Sequence, residues 1–545
     1  MANTLDIRTI SSLEKVRPEM TLSAPQYTKG SVLLNEVFSY QIAYKAFPLT
    51  YGQEFALEVE SDLGDAVSLF LTRQVPVLLP RYWNEIDNNY ISDVPGLFPD
   101  VLEPYTDYIM VSSRNFSSVW VSVKTTTETK PGEHTITIRF RNKDNNEIQG
   151  ESIFTLDVIP AVLPKSDIPF TQWFHCDCLA TYYNVPMLSE EHWALMDNFM
   201  QMATAHGLNM ILTPVITPAL DTRVGHERPT MQLVGISYAD GKYAFDFTLL
   251  ARWLELCKKN GMEYLEIAHL FTQWGAEHAP KIIVNGEKKF GWETDALSDE
   301  YKEFLAQFLP ALTDYLRKNW DASKVYFHIS DEPHAKHIEH YGELFHFVKP
   351  LLGEFKQMDA ISSYEMFKKG FIETPVVVTS EIKSFLDNNV DCMWTYYCCG
   401  QGCLNLSNRF MALPSYRNRV MGLQLYKFDM KGFLQWGYNF YYGKLSTHPI
   451  NPYLVNDTDG AFPAGDSFSV YPGPKGAWPS LRIKVFLEAI QDRRALKLLE
   501  SYIGKEEVVK MIDAEGEIDF FNYPSDSQYL LRLREAVNEK IKRCL

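Results

Sequence analysis

Cysteine is scarce: eight in 545 residues are too few for a disulfide scaffold. Most sit in apolar surroundings, as in "WFHCDCLA" and "DCMWTYYCCGQGC", which makes reduced, packed thiols the expectation. Cys398, Cys399 and Cys403 have no second pair at zinc-finger spacing, so neither a metal nor any other cofactor is expected. No uninterrupted apolar run approaches the length of a bilayer span, and "MANTLDIRTI" lacks a basic start followed by an apolar stretch. A soluble, cytoplasmic chain without a membrane partner is expected. Positive charge is also short, with 52 Lys and Arg against 69 Asp and Glu and a formal net charge of -17. That balance argues against a nucleic-acid partner. There is no Walker-type phosphate loop, no H-E-x-x-H and no G-x-S-x-G, and His334, His337 and His340 drift around a helix axis as a solvated face would. The chemistry left open is acid–base work by carboxylates.

Aromatic residues, by contrast, are plentiful: 33 Phe, 30 Tyr and 11 Trp run along the whole chain. From about Ser31 to Pro160 apolar residues alternate on a two-residue period, as in "SVWVSVKTTTET" and "GEHTITIRFRNKDNNEIQGESIFTLDVIP", with turn signals between segments. This predicts an all-β sandwich over residues 1–164, leaving through the stiff linker "VIPAVLPKSDIP". Beyond Phe170, eight short apolar segments alternate with helical stretches: "TQWFHCD", "NMILTPV", "EYLEIAHL", "KVYFHIS", "MDAISS", "PVVVTS", "DCMWTYY" and "FLQWGYN". The fold class is therefore α/β, a (β/α)8 TIM-type barrel over residues 165–545 with a C-terminal helical extension, preceded by the sandwich. The long connection Asn439–Pro479 has the length of a segment that covers a site.

Barrels of this kind place their chemistry at the C-terminal ends of the strands. In "VYFHISDE", Val325, Phe327 and Ile329 share the outward face, whereas Tyr326, His328 and Ser330 point inward. Continued alternation turns Glu332 inward, with Pro333 biasing it toward an extended backbone. Asp331 and Glu332 have two readings: a helix cap followed by a first-turn proline, or a catalytic pair. Their place at a barrel strand end favours the pair. Trp173, His175 and Asp177 alternate on the first strand, Trp394 and Tyr396 on the seventh, and Gln435, Trp436 and Tyr438 lie near the end of the eighth. Together with His328 they compose a cleft of stacking faces and hydrogen-bonding groups suited to a carbohydrate.

The "HISDEPH" strand end resembles glycoside hydrolase family 123, the β-N-acetylgalactosaminidases. "SVWVSVKTTTETKPGEHTITIRF", "YKFDMKGFLQWGYN" and "YPGPKGAWPSLRIKVFLEAIQDRRALKLL" resemble, in order, that family's sandwich, last barrel strand and closing segment. The resemblance implies retaining, exo-acting hydrolysis in which the substrate's 2-acetamido group is the nucleophile. Glu332 would be the general acid and base, and Asp331 would hold the acetamide. Such roles call for different protonation states, with an apolar wall raising the Glu332 pKa while Asp331 stays ionised. A glycosidase of other sugar specificity, and a carbohydrate-binding protein without turnover, are the alternatives.

Overall fold

Alternating side chains give each N-terminal strand one apolar face, and ten such strands pair into two five-stranded sheets in the computed structural model, which describes residues 4–47, 52–85, 87–111, 115–273 and 275–545. One sheet runs in the order Thr4–Ser11, Val37–Phe47, Ser117–Lys124, Val67–Val77 and Gly96–Pro104, antiparallel throughout. The other runs Lys29–Leu34, Ile148–Val162, Gly132–Asn142, Gln53–Glu60 and Ile109–Val111, its first pair parallel. Tyr40, Ile42, Val121, Ile138 and Phe154 meet between the sheets, the rings of Tyr40 and Phe154 stacking at 4.2 Å. The strand Thr4–Ser11 precedes the stretch where alternation is legible. It is an edge strand in which Leu5 and Ile7 pack against the core while Asp6 and Arg8 alternate with them, so the four residues are all half-buried.

Eight parallel strands then close into a barrel: Phe170–Gln172, Met210–Thr213, Tyr264–Ile267, Val325–His328, Lys356–Ile361, Thr374–Val378, Trp394–Tyr396 and Phe433–Gln435. Closure is made by the first strand against the eighth, Thr171 opposite Leu434. All eight segments read from the sequence form strands in the expected order, and all but the fifth, Lys356–Ile361, are shorter than their apolar runs. Helices Glu190–Ala205, Thr248–Lys259, Asp299–Asn319 and Ile338–Leu352 cover the outside. Asp299–Asn319 buries a stripe of Tyr301, Phe304, Leu305, Phe308, Leu309 and Leu312 and continues through Pro310. No described helix is long and apolar enough to cross a membrane.

The helices Leu481–Ile503 and Ser527–Cys544 bring the sandwich against the barrel. Leu33, Leu102, Trp120 and Ile159 pack with Leu481, Val485 and Leu530 in one apolar cluster. Charges are buried beside it. Arg482 forms a bidentate pair with Asp100 at 2.8 and 2.9 Å, and Asp100 also accepts from Tyr471 at 2.6 Å. Arg534 bridges Glu36 and Asp492, Arg417 pairs with Asp87, and the Lys15 ammonium donates to the carbonyls of Met411 and Leu413. Buried charges without partners are strongly unfavourable, so these pairs fix how the two layers dock. Asp100→Ala leaves the Arg482 guanidinium unpaired and is expected to lower the unfolding free energy by about 3–5 kcal/mol. Replacing Arg482 by Met in the same chain should recover a large part of that loss. Urea unfolding of the three proteins checks this, and an unchanged midpoint for Asp100→Ala would show that the docking does not rest on the pair.

Candidate active site

The fourth barrel strand sends Val325 and Phe327 outward, Phe327 meeting Phe355, and turns Tyr326 and His328 inward. Its exit is held on both sides. His328 and Ile329 carbonyls accept from the Leu270 and Phe271 amides, while the Ser330 hydroxyl donates to the Thr272 carbonyl at 2.8 Å and the Ser330 amide reaches Asp359 at 3.3 Å. Asp331 and Glu332 follow immediately. The extended backbone expected before Pro333 is not what forms: Glu332 has φ +44, a left-handed conformation that few side chains tolerate. The Tyr396 hydroxyl donates to Glu332 Oε1 and anchors the side chain there. The helix-cap reading of Asp331 fails, because the next helix begins only at Ile338 after a 3-10 turn at Ala335–His337.

Beneath the pair lies a buried charge relay. His328 Nε2 meets Glu266 at 2.6 Å and Nδ1 meets Asp359 at 3.1 Å. Glu266 also accepts from Thr171 Oγ1 at 2.7 Å and Trp173 Nε1 at 2.6 Å, and Asp359 from Gln357 Nε2 at 2.9 Å and from the Tyr341 hydroxyl. Burial alone would disfavour a charged imidazole. The hydrogen bonds to two carboxylates outweigh it and push His328 up to about 9, so it is an imidazolium at neutral pH. His269 stacks on it at 4.1 Å and is held well below the usual histidine range by burial and by the His328 charge. Ligand atoms of His269, His328 and Asp359 lie close enough together to suggest a metal site. The donor set does not fit one: two nearly parallel rings direct their lone pairs in parallel planes, and both His328 nitrogens are already engaged by carboxylates.

Above this floor opens a cleft of ≈ 220 Å³. Asp331 and Glu332 line it together with the aromatic faces of Trp173, Tyr396, Trp436 and Phe462. The expected separation of the two carboxyls is reversed on the Asp331 side. Burial first, and then the neighbouring Glu332 charge, push the Asp331 carboxyl well above the usual carboxylate range. Among the described residues no hydrogen-bond donor reaches it to offset that upward push.

The other expected site residues divide. Trp173, Tyr396 and Trp436 face the cleft, and His328 forms its floor. His175 and Asp177 are not on the first strand, which ends at Gln172; His175 precedes the helix Cys176–Tyr183 and Asp177 lies in its first turn. The Asn439 side chain captures the His175 amide at 2.8 Å and turns the chain out of the sheet. Asp177 pairs with Arg228 at 2.6 Å, and His175 Nε2 donates to the Trp436 carbonyl at 2.9 Å, so both brace the wall from behind. Trp394 fills the barrel interior against Tyr326 and against Gly432, where a Cβ would come within 2.2 Å of its ring. Gln435 binds Arg409 and Asp466 rather than facing the cleft. Tyr438 lies beyond the end of the eighth strand, stacks on Phe174 and donates to the Phe199 carbonyl, so it belongs to the core.

Several contributors have no counterpart in the sequence reading. Glu266 and Asp359 are single charges inside apolar strands, a signal that could have marked them. Asp466 accepts from Trp436 Nε1 at 2.9 Å and orients that ring; burial pushes its carboxyl up to about 7. Asp221 and Gln273 line the cleft, each with one side-chain oxygen that lacks a hydrogen-bond partner among the described residues. Asp221 sits at φ +47 in a loop gripped by Ser446, whose hydroxyl donates to its carbonyl at 2.6 Å, and burial pushes its carboxyl up to about 6.

No curated protein matches the chain. Among solved structures, a family 123 glycoside hydrolase from Clostridium perfringens, studied for glycolipid glycan hydrolysis, superposes with a TM-score of 0.73 at 14% identity, covering 99% of this chain and 98% of its own. At that identity the likeness shows the fold. A family 5 mannosidase from Rhizomucor miehei covers 63% of this chain and 96% of its own at 13% identity, with a TM-score of 0.33 too low to carry an argument. Residues 173–499, which hold every cleft residue named above, match the family described as the glycoside hydrolase 123 catalytic domain, and the chain belongs to glycoside hydrolase family 123.

Proposed function

We propose that this glycosidase is a retaining exo-β-N-acetylgalactosaminidase in which the 2-acetamido oxygen of the substrate attacks the anomeric carbon. The observation that carries the reading is the adjacency of Asp331 and Glu332 on one cleft wall. Conventional glycosidases need carboxylates on opposite sides of the scissile bond, about 5 Å or 6.5–9.5 Å apart, and chain neighbours do not easily straddle a sugar in that way. With an intramolecular nucleophile both carboxyls can work from one side. Glu332 then protonates the leaving oxygen and afterwards takes a proton from water.

The empty state of Asp331 fits its role. An acetamide N–H would supply a donor to Asp331, which none of the described residues provides, and would favour its carboxylate while Glu332 serves as the acid. The carboxylate would next stabilise the positive oxazolinium. The His328 imidazolium below favours the same charge on Asp331. Trp173, Tyr396 and Trp436 offer the walls for the sugar ring, and the open acceptors of Asp221 and Gln273 suit hydroxyl donors. A second reading rests on Asp221 itself: as a cleft carboxylate away from the pair, it is the residue a conventional mechanism on a sugar without an acetamido group would use.

Hydrolysis of aryl β-N-acetylgalactosaminide, aryl β-N-acetylglucosaminide and aryl β-galactoside separates these readings. The galactosaminide is expected to be turned over best and the plain galactoside hardly at all; comparable rates on the galactoside would sink substrate assistance, and binding without hydrolysis would leave a carbohydrate-binding protein. Glu332→Gln should lose about 10²–10⁴-fold in kcat on a natural glycan and much less on the activated aryl substrate, whereas Asp331→Asn should be impaired on both. Asp221→Asn should lower kcat/KM about tenfold by weakening a hydroxyl contact; a loss as large as that of Glu332→Gln would favour the conventional mechanism instead.

His328 also makes a pH prediction. Its folded pKa of about 9 lies above the ordinary 6.5, so its stabilising contribution is complete below about pH 6.5 and disappears as the pH rises through 9. The difference is worth on the order of 3 kcal/mol. His328→Gln should therefore melt well below the wild type at pH 6, with the gap narrowing by pH 9.5. Thermal melts across that range decide it, and a constant gap would mean that no imidazolium sits between Glu266 and Asp359.

A further inference from the structure

Trp83 is the most exposed large apolar side chain among the described residues, at 89% of its full surface. It stands on a sandwich loop that leaves the N-terminal sheets and crosses to the barrel. The loop is built to hold its shape: Arg81 Nη1 donates to the carbonyls of Tyr82, Trp83 and Glu85 at 3.0, 3.4 and 2.8 Å. It is also fastened to the rim of the cleft. The Tyr82 hydroxyl donates to the Ala461 carbonyl at 2.7 Å, next to Phe462, and lies against the Cys399 thiol; Phe462 and Cys399 both line the cleft. Tyr90 donates to the Gly402 carbonyl at 2.8 Å, and Asp87 accepts from the Asn405 amide at 3.0 Å. Between those two anchors Leu404 is held at φ +57 with 65% of its surface in solvent. A braced loop fastened to the cleft rim and a strained turn tied to that same loop thus each display apolar surface to solvent, where burial elsewhere in the fold would have been the favourable outcome.

We propose that Trp83 is a stacking platform for the sugar residues on the leaving-group side of the scissile bond, so that the sandwich domain contributes a subsite to the barrel's cleft. This rests on the exo-acting reading above. An enzyme that removes a terminal residue holds that residue at the bottom of its cleft, and the rest of the glycan leaves through the mouth. An indole face there meets the apolar face of a pyranose, the contact aromatic side chains make in carbohydrate sites. Continuity with the cleft rim selects this occupant over a protein partner.

The test compares wild type and Trp83→Ala on two substrates: β-N-acetylgalactosaminyl azide, whose leaving group does not extend past the mouth, and a trisaccharide ending in β-linked N-acetylgalactosamine. The ratio of kcat/KM for the trisaccharide to that for the azide is expected to fall about threefold to tenfold in Trp83→Ala, through KM. Trp83→Phe should keep most of the ratio, which a merely structural role for the loop would not require. An unchanged ratio in Trp83→Ala overturns the platform. Should the wild type hydrolyse neither compound, the N-acetylgalactosaminidase reading of this site fails and calorimetric binding of the trisaccharide decides: a Kd raised about threefold to tenfold in Trp83→Ala supports the platform, and an equal Kd overturns it.

Discussion

The His328 imidazolium, clamped between the carboxylates of Glu266 and Asp359, is the constraint on which the cleft depends. A charge at the centre of a barrel is tolerable only when its partners are themselves satisfied. Glu266 is completed by Thr171 and Trp173, and Asp359 by Gln357, Tyr341 and the Ser330 amide. One buried proton thus ties the first, third, fourth and fifth strands together. It also aims the chain: Asp359 holds the residue just before Asp331, and Glu266 holds the Trp173 indole that forms a cleft wall. The same interaction that makes the core electrically acceptable sets the geometry of the carboxyl pair above it.

The opposite wall is organised by a second charge, independent of the first. Arg409 reaches Gln172 and Gln435 side chains and the carbonyls of Gly437 and Asp466, all within the eighth strand's surroundings. Asp466 in turn fixes the Trp436 ring, and His175, backed by the Arg228–Asp177 pair, fixes the Trp436 backbone. Long connections supply Arg409, Asp466 and Arg228, and buried hydrogen bonds rather than secondary structure hold them in place. The sandwich reinforces this wall from outside through Lys15 and Asp87, whose partners are the Phe410, Met411 and Leu413 carbonyls and Arg417. A loop-built wall needs such bracing, because loops have few backbone ladders of their own.

What the sequence discloses follows from where regular structure ends. Short apolar segments between helical stretches located all eight barrel strands, and alternation within the fourth gave the inward turn of His328, since a pleated strand fixes the side of every residue. The same alternation carried past Gln172 and Gln435 misplaced Asp177 and Tyr438, because the chain leaves the sheet there under the control of Asn439 and Trp173, residues far apart in sequence. Glu266 and Asp359 were legible as charges in apolar strands. Asp221, Arg409 and Asp466 were not: they lie in connections where no period constrains direction, and only the closed barrel brings them to one place.

Glu332 joins these themes. A left-handed residue directly before a proline is disfavoured twice, by its own side chain and by the proline ring. It persists because the chain is fixed on either side, by Asp359 and Thr272 at Ser330 and by Tyr396 at the Glu332 carboxylate. Rigid placement of an acid before substrate arrives removes reorganisation from the reaction step. Below this strained residue Glu266, His328 and Asp359 are all hydrogen-bonded, whereas Asp331 is a carboxyl that no described donor reaches. In the proposed reaction that gap is where the acetamide binds. On that proposal the fold holds the general acid in place by strain, and an acetamido sugar supplies its neighbour with the donor that the described residues do not.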